Sequence, residues 1–254
     1  AVLPQDGFVG YKTKFHIASP IPPGASTGTS SSVSVALIMA YLWHYDFKLT
    51  RDRNYIANLA IKVETEIMSR NCGIQDQYAA AFGLGANFIT MDEFPYAKHS
   101  RIELSKNTIT QLNEGLVTVF IGSHDSSETH KLVIDRLKNT DNLTKLESLR
   151  ECARNGGLCL TCGNIIGYAE LMNLNTLAQN DLHSDLVGKK FRELIDFSNS
   201  LDHKPLGSKP NGAAGEGGTW TALFENKSKA TEFVNQAKPV FPSYYKYFEH
   251  TLVI

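Results

Sequence analysis

Cysteine is scarce in this sequence, and neither sign of charge is in excess. The 254 residues include 4 cysteines, too few for the disulfide framework of a secreted domain, which predicts a reducing, cytoplasmic environment. Lysine and arginine number 25 against 26 aspartates and glutamates, for a net charge of −1. That balance offers no basic surface to nucleic acid and no polybasic patch to a membrane. We therefore expect neither as a partner.

Long apolar runs are lacking as well. None reaches the length needed to span a bilayer, and the first six residues lack the charged and apolar regions of a signal peptide. The composition that remains, 42% hydrophobic and 20% charged, is ordinary for a soluble globular protein. At this length the chain can form one large domain or two small ones.

The most informative stretch is residues 19–41, where a loop rich in proline and glycine leads into an apolar helix. Prolines and glycines break regular structure as far as Gly28, hydroxyl residues occupy positions 29–32, and helical spacing of apolar residues begins at Val33. A helix start carries unpaired N–H groups and partial positive charge, so this order suits a phosphate. An ordinary serine-capped helix explains it equally well. The stretch is not the P-loop motif, because no Gly-Lys-Ser/Thr follows the glycines.

Periodicity predicts a mixture of strands and helices along the rest of the chain. Alternation predicts an opening strand over residues 8–18, and helical spacing predicts a helix over 51–68 with Thr50 as its N-cap. Further strands are predicted at 87–91, 102–104, 116–121, 220–224 and 250–254, and further helices at 131–137, 142–200 and 227–237.

Three carboxylates stand out by position. Glu64 and Glu66 lie near the C-terminal end of the predicted helix, where the helix dipole disfavours anions, so they either hold a cation or are simply exposed. Asp76 lies at or near the start of a short apolar helix. It is either that helix's N-cap or a carboxylate able to act as a base or to orient a hydroxyl nucleophile.

Two polar segments follow buried elements. Residues 122–130 come at the end of the predicted strand 116–121, a common place for ligand contacts, although their histidines match no standard zinc spacing. Residues 209–218 form a second glycine-rich turn, which runs into a strand and is therefore predicted to be structured rather than a linker. Cys159 and Cys162 are predicted to be core cysteines, because they lie in an apolar helical context without a second pair.

Taken together, these segments resemble the GHMP kinases. The phosphate loop of that family is similar to Pro22-Pro23-Gly24-Ala25-Ser26-Thr27-Gly28-Thr29-Ser30-Ser31-Ser32. Its catalytic-aspartate segment is similar to Cys72-Gly73-Ile74-Gln75-Asp76-Gln77, and its C-terminal glycine-rich motif is similar to residues 211–218. The branch of D-glycero-D-manno-heptose 7-phosphate kinases is the most similar. It shares Gly-Ile-Gln-Asp-Gln-Tyr-Ala-Ala-Ala, the Ser-His-x-Ser-Ser cluster after the central strand, and Asn-Gly-Ala-x-Gly-Glu-Gly-Gly.

The resemblance implies an α+β, two-domain GHMP kinase fold that binds ATP and Mg²⁺ between its halves. Residues 1–112 would form an N-terminal domain with a left-handed crossover, and residues 113–254 a ferredoxin-like C-terminal domain. It also implies an ATP-dependent kinase acting on a hydroxyl of a sugar or sugar phosphate, of the heptose 7-phosphate type. A kinase for another sugar, such as fucose or galactose, and a catalytically weak paralogue that binds nucleotide or sugar are the alternatives. A homodimer is compatible with either.

Residue roles follow from the same resemblance. Asp76 would be the base or orienting carboxylate, Ser30 a magnesium and phosphate ligand, and Glu64 the acidic metal ligand, with Glu66 as the alternative. The nucleotide would contact Pro23, Gly24, Ala25, Ser26, Gly28, Thr29, Ser30 and Ser31. The sugar substrate would contact Ser123, His124, Gly215, Glu216 and Gly217.

The sequence departs from the family pattern in two places. Where the family has Gly-Leu in the phosphate loop, this chain has Ser26-Thr27. A side chain at Ser26 is expected to narrow the phosphate path or to force different torsions, since glycine tolerates positive φ and serine does not readily. The family's first N-terminal strands also find no counterpart here, so we expect a truncated chain, which explains the lone opening strand.

Overall fold

The computed structural model describes residues 14–124, 126–138, 143–213 and 215–250. These residues form a mixture of helices and antiparallel strands in an α+β arrangement, as expected. The elements are α1 (Thr29–Tyr45), α2 (Arg53–Lys62), α3 (Gln75–Phe82), β1 (Ala86–Glu93), β2 (Tyr96–Ile102), α4 (Lys106–Gly115), β3 (Leu116–Gly122), α5 (Ser126–Leu137), α6 (Leu143–Cys162), α7 (Ile165–Leu182), α8 (Lys189–Ser200), β4 (Gly207–Pro210), β5 (Gly218–Leu223), α9 (Lys227–Ala237) and β6 (Lys246–Glu249). No helix in this part of the chain has the length and apolarity of a membrane span.

The first half packs three helices beside a hairpin. Apolar faces of α1, α2 and α3 meet in one core, to which Leu42, Ile56 and Tyr78 contribute. The strands β1 and β2 pair in antiparallel fashion, and the hydroxyl of Tyr78 joins α3 to β2 by donating to the carbonyl oxygen of Ala97 at 3.3 Å. This helical layer fixes the positions of the first turns of α1 and α3.

The second half is built on a four-stranded antiparallel sheet in the order β4-β5-β3-β6. Side chains alternate along β3, so Val117, Val119 and Ile121 pack with residues of α8 and α9 on one face. Leu223 of β5 packs on the other face with residues of α4, α6 and α7. The sheet is therefore buried on both faces, and the segment after β3 leaves the end of an inner strand.

Several predicted boundaries are wrong, for local reasons. Residues 14–18 form no strand, and the rest of the predicted opening strand lies outside the described residues. The predicted helix 142–200 is three helices, broken at Gly163, whose φ of 74° ends α6, and again at residues 183–188. Among the described residues the last strand is β6, and His250 lies outside it; the rest of the strand predicted at 250–254 lies outside the described residues.

The predicted helix 51–68 also differs from the structure. Its N-cap is Asp52, whose carboxylate accepts from the N–H of Tyr55 at 2.9 Å, and not Thr50, whose hydroxyl donates to the carbonyl oxygen of Phe47. The α-helix ends at Lys62 and continues as a π-helical turn over Val63–Ile67. A π turn holds one extra residue per turn, so it rotates the side chains that follow relative to a regular helix.

A further prediction, that of core cysteines, needs correction, and the expected domain boundary can be located in the fold. Cys162 is exposed and Cys159 is half-buried, so neither is a core cysteine; both lie in the last turn of α6. The expected domain boundary at 112/113 falls inside α4 (Lys106–Gly115). Leu112 packs with α6 and α7, so α4 is joined to the second half. The division into two domains stays a prediction.

Candidate active site

The site begins with loop 22–28, which has an unusual backbone. Gly24, Ser26 and Gly28 have φ angles of 70°, 55° and 67°, all in the left-handed region that favours glycine. Ser26 therefore has a positive φ, a torsion that serine does not readily adopt. A Cβ on Gly24 would lie 2.8 Å from the carbonyl oxygen of His124, so only glycine fits there.

Helix α1 starts directly after this loop, at Thr29, before the apolar spacing that begins at Val33. Its N-cap is Gly28, and no side chain among the described residues caps it, so the serine-capped interpretation is wrong. The N–H groups of the first turn are therefore open to an anion, with the partial positive charge of a 17-residue helix behind them. The earlier start also places Ser30 and Ser31 in that first turn.

A buried carboxylate lies against these two serines. The hydroxyls of Ser30 and Ser31 donate to the two oxygens of Glu64, the second at 3.0 Å, and the side-chain amide of Gln77 donates to Glu64 as well. Glu64 is 2% exposed, and within the described ranges no Lys, Arg or His forms an ion pair with it. A buried carboxylate without a positive partner is costly, so this position suits a cation.

The oxygen ligands fit Mg²⁺. Magnesium prefers hard oxygen donors and commonly takes one or two carboxylates together with phosphate oxygens and water, as Ser30 and Glu64 could provide beside a bound phosphate. In the described part of the chain, no three or more His, Cys, Asp or Glu side chains are grouped so that they could hold a metal ion by themselves. Glu66, the alternative ligand, points elsewhere: its side chain is 65% exposed and pairs with Lys62 at 3.6 Å.

Asp76 lies beside the loop. It falls in the first turn of α3, whose N-cap is Ile74, so the interpretation of Asp76 as an N-cap is wrong. A Cβ on Gly28 would lie 3.1 Å from Cγ of Asp76, which places this carboxyl group next to the start of α1. Burial raises the pKa of Asp76, and the negative charge of Glu64 raises it further, while His130 opposes the shift.

Residues 123 and 124, which follow β3, contact the loop. The hydroxyl of Ser123 donates to the carbonyl oxygen of Pro23 at 2.7 Å, and the backbone N–H of His124 donates to that of Gly24 at 3.2 Å. The imidazole of His124 lies 2.9 Å from the same Gly24 oxygen and 3.3 Å from the hydroxyl of Ser26. Both residues thus contact loop 22–28, which is predicted to bind the nucleotide, although they were predicted to contact the sugar.

The second glycine-rich turn is divided between two places. Gly217 packs against His124, and the following Thr219 donates its hydroxyl to the carbonyl oxygen of Ala25 at 2.8 Å. Gly215 and Glu216 instead meet the start of α8: the carboxylate of Glu216 accepts from the N–H of Lys189 at 3.1 Å. Of these predicted substrate residues, Gly217 therefore lies at loop 22–28, whereas Gly215 and Glu216 contact the start of α8.

Sequence reasoning missed two groups in this site. Gln77 is 1% exposed and holds Glu64; its place directly after Asp76, in the segment that carries the resemblance, was the available signal. Thr219 is equally buried and anchors Ala25, but it is 194 residues away from that position and no local pattern marks it.

Fold and site together define an α+β protein in which a helix N-terminus suited to phosphate faces two carboxylates. Residues 2–84 match the family model of the GHMP kinases N terminal domain. This segment is therefore similar to the N-terminal domain of the GHMP kinases, as the resemblance of its motifs implied.

Curated relatives extend the match beyond those residues. A galactokinase from Limosilactobacillus reuteri (strain DSM 20016) is 24% identical over 212 residues, which is 81% of this chain and 50% of the relative. A galactokinase from Thermotoga neapolitana is 31% identical over 86 residues, or 33% of this chain and 24% of the relative. The chain therefore spans between a quarter and a half of the length of these relatives.

Solved structures confirm the fold. Lactococcus lactis galactokinase complexed with galactose superposes with a TM-score of 0.67 at 19% identity, covering 92% of this chain and 67% of that one. A D-glycero-D-manno-heptose 1-phosphate kinase from Bacteriodes thetaiotaomicron has a TM-score of 0.61 at 17% identity, covering 92% and 62%. L. major mevalonate kinase in complex with R-mevalonate superposes with a TM-score of 0.66 at 16% identity, covering 89% of this chain and 67% of that one. At such identities the likeness concerns the GHMP kinase fold alone.

Proposed function

We propose that this protein is an ATP- and Mg²⁺-dependent kinase that phosphorylates a hydroxyl group of a sugar or sugar phosphate. The observation that carries the proposal is the convergence of three features at the start of α1: loop 22–28, the buried Ser30–Glu64 pair, and Asp76 beside Gly28. Phosphoryl transfer depends mainly on positioning and on neutralising phosphate charge, and these features serve both needs.

Each residue has a distinct task in this proposal. The N–H groups of loop 22–28 and of the first turn of α1 bind the phosphates of the nucleotide. Ser30 and Glu64 hold Mg²⁺, which neutralises phosphate charge when bound. Asp76 accepts the proton of the acceptor hydroxyl or orients that hydroxyl. Burial raises the pKa of Asp76, which makes its carboxylate a stronger base than an exposed one.

The acceptor sugar is the finer part of the proposal. The motifs favour a heptose phosphate, D-glycero-D-manno-heptose 7-phosphate in particular, and a solved heptose 1-phosphate kinase shares the fold. The curated relatives are galactokinases, which supports galactose as an alternative, with fucose as a third acceptor to test. A coupled assay of ADP release over these sugars and their phosphates distinguishes the acceptors by kcat/KM.

A second candidate function is nucleotide or sugar binding without efficient turnover. It is favoured by Ser26, a residue with a side chain held at a φ of 55° within the proposed phosphate loop. Clear binding of ATP without release of ADP on any acceptor would support this candidate.

The variant Asp76→Asn tests the kinase. We expect turnover to fall by at least about 10²-fold, the lower end of a general base's contribution, with the Kd for ATP nearly unchanged, because the amide cannot accept the hydroxyl proton. Asp92→Asn is the matched control, since Asp92 is an exposed partner of Lys98 on the hairpin. Unchanged turnover in Asp76→Asn would remove Asp76 from the mechanism.

A further inference from the structure

His124 is held in one tautomer by its contacts. Its Nδ1 lies 2.9 Å from the carbonyl oxygen of Gly24, and a carbonyl oxygen can only accept. Nδ1 therefore carries the proton. In the neutral ring Nε2 then has a lone pair, which accepts from the hydroxyl of Ser26 at 3.3 Å. The imidazole of His124 thus hydrogen-bonds to two residues of loop 22–28.

Of these two residues, Ser26 is the one whose backbone needs support. Its φ is 55°, and a left-handed torsion is unfavourable for serine, whereas glycine tolerates the φ of 70° at Gly24. Nothing in the local sequence stabilises Ser26 in that torsion, whereas the bond to His124 does. A Cβ on Gly218 would overlap the hydroxyl oxygen of Ser26, so glycine there leaves the room that this hydroxyl occupies.

His124 is also part of a larger set of contacts on the loop. Three consecutive carbonyl oxygens, of Pro23, Gly24 and Ala25, accept from Ser123, His124 and Thr219. Because these carbonyl oxygens are hydrogen-bonded to β5 and to the segment after β3, they point towards those strands. They therefore do not repel an anion bound on the other side of the loop. The loop can then present its N–H groups to phosphate, as an anion site requires.

We propose that His124 is a positioning residue that holds loop 22–28 in its phosphate-binding conformation through Gly24 and Ser26, and does not bind the acceptor sugar. The proposal rests on the proposed nucleotide site. It also explains the departure from the family pattern at Ser26: the serine hydroxyl and the histidine act as a pair that stabilises a backbone usually left to glycine.

The test uses the full chain and variants of both partners. His124→Ala removes both side-chain bonds, Ser26→Ala removes the hydroxyl but keeps the unfavourable torsion, and Ser26→Gly removes the hydroxyl and the strain together. The Kd of a fluorescent ATP analogue with Mg²⁺ is measured without acceptor, and amide hydrogen exchange is followed over residues 24–31. His203→Ala is the matched control, because His203 is a half-exposed partner of Glu232 on the surface.

We expect His124→Ala and Ser26→Ala each to raise the Kd for the nucleotide by about tenfold and to speed exchange in the loop, since each loses a hydrogen bond that supports it. Ser26→Gly should bind within about threefold of the wild type, because glycine tolerates the torsion. In the Ser26→Gly background, His124→Ala should raise the Kd for the nucleotide by a smaller factor than it does in the wild type. The KM for the acceptor should stay unchanged throughout.

Other outcomes overturn the inference. A nucleotide affinity of Ser26→Ala equal to that of the wild type would show that the hydroxyl does not support the loop. A raised KM for the acceptor with unchanged nucleotide affinity in His124→Ala would make His124 a substrate ligand instead. If the wild type itself bound no nucleotide, the proposed function would fail, while exchange in the loop would still decide whether His124 and Ser26 act as a pair. Should His124→Ala not fold, the two serine variants and His124→Asn, which keeps a donor for Gly24, make the same distinctions.

Discussion

Asp76 illustrates how a single residue can serve function at a cost to stability. Its pKa is raised above the ordinary value of 3.8, first by burial and then by Glu64, so the folded protein disfavours the charged form. The folded state therefore binds the proton more tightly than the unfolded chain does. Stability falls as pH rises from 3.8 through the raised pKa, and it stays lower above that value.

Asp76→Asn should therefore raise the melting temperature at neutral pH while abolishing turnover. The gain should vanish at low pH, where Asp76 is protonated in both states. Thermal melts of the wild type and the variant, recorded between about pH 3 and pH 8 without metal, check this, with Asp92→Asn as control. A melting temperature lowered at all pH values would mean that the carboxylate is a structural group.

At the scale of elements, the sequence predicts what periodicity controls. Strand β3 and the helix 227–237 form where the apolar pattern placed them, because β3 is a continuous apolar run buried on both faces and the helix buries one face. The same reasoning fails at the end of α2, where the π turn over Val63–Ile67 carries Glu64 into the interior. A pattern with a period of 3.6 cannot reveal a turn that holds an extra residue, so the burial of Glu64 and the exposure of Glu66 could not be predicted from it.

Helix α8 provides a test of Glu216. The carboxylate accepts from the N–H of Lys189 in the first turn, where the helix dipole favours an anion. Glu216→Gln should lower the free energy of unfolding by about 0.3–1 kcal/mol and leave the KM for the acceptor unchanged. Urea unfolding and steady-state kinetics check both, with Glu193→Gln, on the outside of the same helix, as control. A KM raised several-fold would return Glu216 to the substrate site.

At the scale of the whole molecule, the two halves meet at loop 22–28. The motifs of residues 22–32 and 72–77 could be recognised in the sequence because each is a local pattern. The partners of the loop could not, since Ser123, His124 and Thr219 lie 100 or more positions away from Pro23, Gly24 and Ala25, and only folding brings them together. Cytoplasmic location and a homodimer remain predictions.

Because the loop connects the halves, nucleotide binding should stabilise the whole chain. At a concentration one hundred times its Kd, Mg²⁺–ATP should add about 2.7 kcal/mol and raise the melting temperature by several degrees. Glu64→Ala should lose the part of this shift that depends on magnesium. Differential scanning fluorimetry with and without Mg²⁺ measures it, and equal shifts with and without the metal would contradict a metal site at Glu64.

The contacts of the loop carbonyls also bear on what the matched family segment can do alone. A fragment of residues 2–84 would contain loop 22–28, Ser30, Glu64 and Asp76, and so every side chain proposed for phosphate, metal and acceptor activation. It would lack all three donors that fix the carbonyls of Pro23, Gly24 and Ala25. Such a fragment would carry the chemical groups without their geometry, so transplanting the N-terminal segment into another protein would transfer the motif but not the site.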